Sequence, residues 1–244
     1  MNNATSYIRE ISIPETEKED YPFSIPIVKN FGSIELHNKV TYFVGENGSG
    51  KSTILEALAI ALRFNPEGGT RNTIFSTHQT ESSLWETMRI TKGMKTINHG
   101  FFFRAETMYN LFSKAESEKD DPHGWHIYGW QGMHARSHGE GHLKLFEKKM
   151  RKGFYLLDEP EAALSPEKQM SFLTLLDNLI ANESQVVICT HSPIILAYPD
   201  SWIYSFDSSA PKKIEYSEAK CVEYYDLFFK KREVMLSELL SNKE

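Results

Sequence analysis

The stretch GENGSGKST, Gly45–Thr53, fits the spacing G-x-x-x-x-G-K-[ST]. Residues of these types at this spacing can hold a row of phosphates. Gly45, Gly48 and Gly50 let the backbone of Glu46, Asn47 and Ser49 curl until its N–H groups converge on negative charge. A helix starting directly afterwards adds the partial positive charge of its N-terminus. Lys51 brings a point charge to the terminal phosphates, and the Ser52 hydroxyl, with Thr53 beside it, is suited to Mg²⁺. A chance match to this pattern is expected in only about one chain of this length in a hundred.

Two further stretches fit the same chemistry. In FYLLDEPEAALSP an apolar strand ends in two acids, and buried strands seldom do so unless something cationic lies there. Asp158 is suited to hold Mg²⁺ at a strand tip, and Glu159 to take a proton from an attacking water. In QVVICTHSP a third apolar run leads into His191, which can donate a hydrogen bond to a terminal phosphate and so report its presence. A single histidine after a strand is more often a satisfied polar group; the other two motifs give this one its weight.

Strand and helix signals alternate along the chain that carries these residues. SYIREISI and VTYFV read as strands, STILEALAIALRF as a helix with Ile54, Leu55, Leu58 and Leu62 at helical spacing. Residues 65–99 are polar, with one helix expected around Leu84 to Met88. GFFFRA reads as a buried strand, ETMYNLFSKAE and HLKLFEKKM as helices, FYLLD and QVVICT as strands. SPEKQMSFLTLLDNLIANE reads as a helix with Ser165 as N-cap and Pro166 in its first turn. SWIYSF and KIEYS complete the strands, and CVEYYDLFFKKREVMLSELL reads as one or two helices. Strand–helix alternation predicts an α/β fold with a mostly parallel central sheet flanked by helices.

The 244 residues suit one large domain, 40% hydrophobic and 25% charged. Only two cysteines occur, Cys189 and Cys221, without a CxxC pair, so a reducing, cytoplasmic setting is expected. No apolar run approaches a membrane span, and MNNATSYIRE lacks the pattern of a secretory leader. The net charge of −6 argues against a dedicated nucleic-acid binder without excluding a local patch. One basic cluster exists, Lys144, Lys148, Lys149, Arg151 and Lys152, most simply the solvated face of a helix.

One stretch is ambiguous on its own residues. WQGMHARSHGEGHLKLF, Trp130–Phe146, spaces His134, His138 and His142 by four, which on a helix would gather them for zinc. Gly139 and Gly141 disfavour a helix there, no cysteine is near, and Glu140 is the only carboxylate. A plain loop and a phosphate-gripping turn remain alternatives.

Taken in order, GENGSGKST, YLLDEPEAALSP and ICTHSP resemble an ABC-type P-loop ATPase. The resemblance is to the RecF-like and SMC-like branch, and within it to short stand-alone ATPases that pair DEPEAALSP with THSPIILAYPD. It runs from about Tyr21 to Phe206. It implies one ATPase domain over residues 1–244, with a helical signature subregion over about residues 65–150. It implies ATP as ligand of Glu46, Asn47, Gly48, Ser49, Gly50, Lys51, Ser52 and Thr53 in the Walker A loop. Mg²⁺ would be held by Ser52 and by Asp158 of Walker B. Lys51, Glu159 and His191 are the catalytic residues it implies. Such enzymes carry a signature motif about twenty residues before the Asp-Glu strand end, where RSHGE, Arg136–Glu140, lies here. On this reading Ser137, Gly139 and Glu140 act in trans, on the nucleotide of a second subunit, within an ATP-gated head-to-tail homodimer. Ser137 and Gly139 match the common LSGGQ form; Arg136, His138 and Glu140 depart from it.

Two other departures follow from the resemblance. Where the family places a glutamine touching Mg²⁺ and the attacking water, Glu106 stands here, beside Arg104, and is a candidate for the same role; the alternative is a glutamate that favours the dipole of the helix it opens. Where it places an aspartate after the Asp-Glu loop, Ser165 stands, so a contact across the dimer is weakened or the serine only caps its helix. Tyr21 and Phe23 are candidates for stacking on adenine, though core positions suit them better. Relatives in this branch act on DNA in repair, chromosome maintenance or defence. The implied partners are a second copy of the chain, DNA, and an effector protein. The competing reading is the ATPase subunit of an ABC membrane transporter.

Overall fold

The computed structural model describes residues 5–66, 68–70, 83–107, 146, 151–162 and 164–241. The strand run VTYFV forms β3 (Val40–Val44), after β1 (Ile8–Ile13) and β2 (Gly32–Glu35). β4 (Arg89–Lys92), β5 (Gly100–Arg104), β6 (Phe154–Asp158), β7 (Gln185–Cys189), β8 (Ser201–Ser205) and β9 (Lys212–Ile214) follow. The helices are α1 (Pro26–Lys29), α2 (Lys51–Ala61), α3 (Leu84–Thr87), α4 (Pro166–Ala181), α5 (Pro193–Leu196) and α6 (Lys220–Ser241).

Among the described residues six strands form the central sheet, in the order β5-β6-β7-β3-β8-β9. Its pairs are parallel except the last, β8 with β9. All five residues of β3, β6 and β7 are buried, which is why these strands read as continuous apolar runs rather than alternating ones. Alternation survives inside the core instead. Phe43, Phe154, Leu156 and Val187 pack towards α2 on one face. Tyr42, Tyr155, Leu157 and Ile188 pack towards α4 and α5 on the other.

The helices fit their sequences. α2 buries Ile54, Leu55, Ala57, Leu58 and Ala59. α4 turns Phe172, Leu176 and Leu179 inward, one stripe of a 3.6-residue period. Ser165 caps it as expected, its hydroxyl accepting from the Lys168 N–H. Phe146, the one described residue of the HLKLFEKKM stretch, is buried between Phe103 of β5 and Phe172 of α4, with ring centroids 4.9 and 5.2 Å away. α6 buries no residue and departs from helical geometry at Lys231, so it reads as two helices across a kink.

A second, antiparallel sheet, β2-β1-β4, stands apart from the predicted parallel one. The polar stretch 65–99 contributes β4, and β2 is only four residues long. Both owe their form to β1, whose Ile8, Ile11 and Ile13 are buried. Gln185, the first residue of β7, welds the two sheets. Its side-chain oxygen accepts from the Tyr7 and Ile8 N–H groups, each at 2.9 Å, and its amide donates to the Ile8 and His37 carbonyls at 2.7 and 2.9 Å. Within residues 65–150 the described part holds α3, β4 and β5, the last a strand of the central sheet; most of the expected signature subregion lies outside the described residues.

Candidate functional site

β3, β5, β6 and β7 run parallel, so their C-terminal tips share one end of the sheet. Open α/β sheets bind ligands at that end. The GENGSGKST turn leaves β3 and enters α2 there. Gly50 caps α2 with φ +96°, and a Cβ at Gly50 would stand 2.6 Å from Ile27 Cγ2. Gly48 has open space around it but φ +80°, so here it is the backbone angle that requires glycine. The buried Lys51 ammonium folds back over the turn and donates to the carbonyls of Gly45 (2.7 Å) and Glu46 (2.8 Å). Burial lowers its pKa, against the pull of Cys189, Glu159 and Asp158.

From β6 comes the carboxylate pair. Asp158 is buried, and its Oδ1 accepts from the Ser52 hydroxyl at 3.1 Å. Burial pushes its pKa up to about 6, while Arg104 and the Ser52 hydroxyl pull it down. Two oxygen donors side by side, one a carboxylate, form the set a hard divalent cation prefers. The Glu159 backbone sits in the left-handed region, φ +49°, where a residue with a Cβ is strained, and its N–H donates to the Cys189 carbonyl at 3.0 Å. That link ties the tip of β6 to the tip of β7.

His191 follows β7 by two residues. Its Nε2 lies 3.8 Å from Glu159 Oε1. Burial and the Lys51 charge lower its pKa while Glu159 raises it, which leaves a neutral imidazole at neutral pH. The expected residues Ser52 and Asp158 are therefore in contact, Glu159 and His191 face each other, and Lys51 stands at the same end.

Three residues matter here beyond those the motifs name. Arg104, at the tip of β5 and in register with Asp158, pairs with Glu56 of α2 at 2.5 Å. Its Nε points towards Asp158 Oδ2 at 3.9 Å. Glu106 is 82% exposed and among the described residues pairs with Arg104, at 3.8 Å, so the arginine rather than the glutamate adjoins the Asp158 carboxylate. Glu161 is largely buried and accepts from the His191 N–H at 2.7 Å. Among the described residues, Arg104 Nε, Glu161 Oε2 and His191 Nε2 are buried atoms without a hydrogen-bond partner. Buried polar groups are normally paired, so three such atoms around one cluster mark a place where a ligand belongs.

Beside the turn, a cavity of about 410 Å³ is lined by Ile25, Pro26, Asn47, Phe206 and Asp207 among others. Phe23 is 1% exposed, a core residue, and Tyr21 is 69% exposed. Ser137, Gly139, Glu140 and Arg136 lie outside the described residues, as do His134, His138 and His142 of the zinc alternative. Of the basic cluster, Arg151 and Lys152 are described; Lys152 is ion-paired with Glu183.

Two family models match the chain. One, described as an AAA domain, covers residues 24–121 and includes the Gly45–Thr53 turn. The other, an AAA ATPase domain, covers residues 140–196 and includes Asp158, Glu159 and His191. Among curated proteins, the energy-coupling factor transporter ATP-binding protein EcfA2 of Methanospirillum hungatei is 26% identical over 73% of this chain. The chain spans about half of that protein's length, 48%. The petrobactin import ATP-binding protein FpuD of Bacillus anthracis is 25% identical, over 78% of this chain and 79% of its own. Among solved structures, the SMC head domain from Thermotoga maritima aligns with TM-score 0.47 at 16% identity, over 86% of this chain and 99% of that one. CbiO1 of an ABC transporter complex from Clostridium perfringens aligns with TM-score 0.48 at 14% identity, over 94% and 97%. The phosphate-binding turn thus lies inside the AAA match and the strand-tip acids and histidine inside the AAA ATPase match, the similarity of a P-loop ATPase.

Proposed function

We propose that the strand tips form a Mg²⁺-dependent ATP-hydrolysing centre and that ATP closes two copies of the chain head to tail. The observation that carries this reading is the pairing of Ser52 with Asp158 and of Glu159 with His191 at the end of one parallel sheet. The turn's N–H groups, the α2 N-terminus and Lys51 bind the phosphates. Lys51 releases the Gly45 and Glu46 carbonyls when a phosphate takes its charge. Ser52 and Asp158 hold Mg²⁺, which when bound neutralises phosphate charge. Glu159 orients the attacking water and takes its proton. His191, neutral, donates from Nε2 to the terminal phosphate and reports its loss. Glu46, Asn47, Gly48, Ser49, Gly50 and Thr53 complete the ATP contacts.

In this reading Ser137, Gly139 and Glu140 reach the partner's nucleotide, and neither copy completes its own site. The work coupled to the cycle is DNA-linked: repair, chromosome maintenance or defence. The SMC-like and RecF-like resemblance of the motifs supports that reading. A second reading, the ATPase subunit of an ABC transporter, is favoured by the two curated relatives, both transporter ATP-binding proteins. ATPase stimulation by duplex DNA supports the first reading; co-purification with an integral membrane protein supports the second. Dimer closure is tested by light scattering of Glu159→Gln. The mass is expected to double from 28.1 kDa only with ATP and Mg²⁺. A mass that stays at one chain under both conditions removes the sandwich.

A further inference from the structure

We infer that Glu161 is a positioning residue that clasps the His191 loop onto the carboxylate loop and thereby sets the distance between Glu159 and His191. This rests on the roles proposed above for those two residues.

The loops after β6 and β7 are joined by two side-chain clasps. In the first, Glu161 Oε1 accepts the His191 N–H at 2.7 Å. In the second, the Ser192 hydroxyl pairs with Gln169 Oε1 at 2.5 Å, while Gln169 Nε2 donates to the Leu164 carbonyl at 2.9 Å. The same Ser192 oxygen accepts from the Ile194 and Ile195 N–H groups and caps α5. Ser192 N donates to Thr190 Oγ1 at 3.0 Å. His191 is therefore flanked by residues held on both sides, and among the described residues Glu161 is the side chain that hydrogen-bonds its backbone.

The geometry explains why a carboxyl group stands there. Glu159 has its backbone at φ +49°, so its side-chain direction depends on the loop that follows, and Glu161 is part of that loop. One end of the Pro160–Glu161 link fixes the proposed base, and the other fixes the proposed phosphate sensor. The Glu161 group is buried, with Oε2 left unpartnered. A purely structural role would be filled better by a residue with every atom satisfied, since an unpaired buried oxygen costs stability. Retaining the group fits a requirement at the site instead. Through its hydrogen bond to a backbone N–H, Glu161 touches neither substrate nor reacting atoms; it acts through His191.

The test is a set of variants assayed for steady-state ATP hydrolysis: Glu161→Ala, Glu161→Gln, His191→Ala, and Glu161→Ala combined with His191→Ala. Each is checked for ATP binding and thermal midpoint, so that loss of fold is recognised. Glu161→Ala is expected to lower kcat at least about tenfold, with KM for ATP changed less than about threefold. Glu161→Gln keeps an oxygen for the His191 N–H and is expected to recover kcat to within about threefold of wild type. In the His191→Ala background, Glu161→Ala should add little, because both changes remove the same placement. Wild-type kcat in Glu161→Ala overturns the inference, as does full additivity with His191→Ala. Failure of Glu161→Gln to recover activity also overturns it. If His191→Ala is itself fully active while Glu161→Ala is impaired, the sensor role fails and with it the route by which Glu161 is said to act. If His191→Ala is impaired and Glu161→Ala is not, the sensor stands and only the clasp fails.

Discussion

Gln185 and Asp158 sit at opposite ends of neighbouring strands, β7 and β6, and both are buried polar residues. Their surroundings differ in kind. The Gln185 amide has both donors and its acceptor engaged, four bonds to three residues of the chain at 2.7–2.9 Å. The Asp158 carboxylate has one hydroxyl and an arginine too far for a hydrogen bond, and burial raises its pKa to about 6. At the strand starts, polarity is fully paired and holds two sheets together. At the strand tips, polarity is under-paired and is kept despite its cost. In a parallel sheet all the tips face one way, so one end of the fold carries the stability and the other the chemistry.

Gln185→Ala leaves two N–H groups and two carbonyls without their partners, and should cost about 3–4 kcal/mol of stability even if water enters. A denaturant midpoint close to wild type with an unchanged slope would deny Gln185 its role as the weld. Asp158→Asn should do the reverse, stabilising the metal-free protein by about 1–2 kcal/mol at pH 7.5 while ending Mg²⁺-dependent turnover. The sign follows from the direction of the shift. With a folded pKa raised to about 6, the ionised carboxylate costs stability that is absent below its unfolded value and builds as pH rises to about 6. The gain from asparagine, read as a thermal midpoint, should therefore shrink as pH is lowered from 7 to 4. A variant that is both less stable and inactive would class Asp158 with Gln185.

Much of the chemistry was legible in the residues because it is local. A phosphate-binding turn needs its glycines, lysine and serine within nine positions, so GENGSGKST could be read directly. β3, β6 and β7 were legible because strands buried on both faces are continuous apolar runs. β2 and β4 were not, since GSIE and RITK have too few apolar residues for a period and exist as strands only by pairing with β1. Gln185 opens an apolar run and reads as an exposed end; its partners Tyr7, Ile8 and His37 are about 150 or more positions away. Arg104 was visible beside Glu106, but nothing local told that β5 pairs with β6 in a register that sets Arg104 against Asp158. Glu161 is not legible inside DEPEAALSP because its partner is the His191 backbone N–H in the loop after β7, and backbone partners leave no trace in residue identity.

The role of Glu159 is decided by comparing ATP binding and hydrolysis in wild-type protein and Glu159→Gln under the same conditions. Glu159→Gln should bind ATP with Mg²⁺ within a few-fold of wild type and turn it over at least about a hundredfold more slowly, the loss of one positioned proton acceptor. Near-normal turnover in Glu159→Gln would contradict the assignment and move the proton acceptor away from the tip of β6.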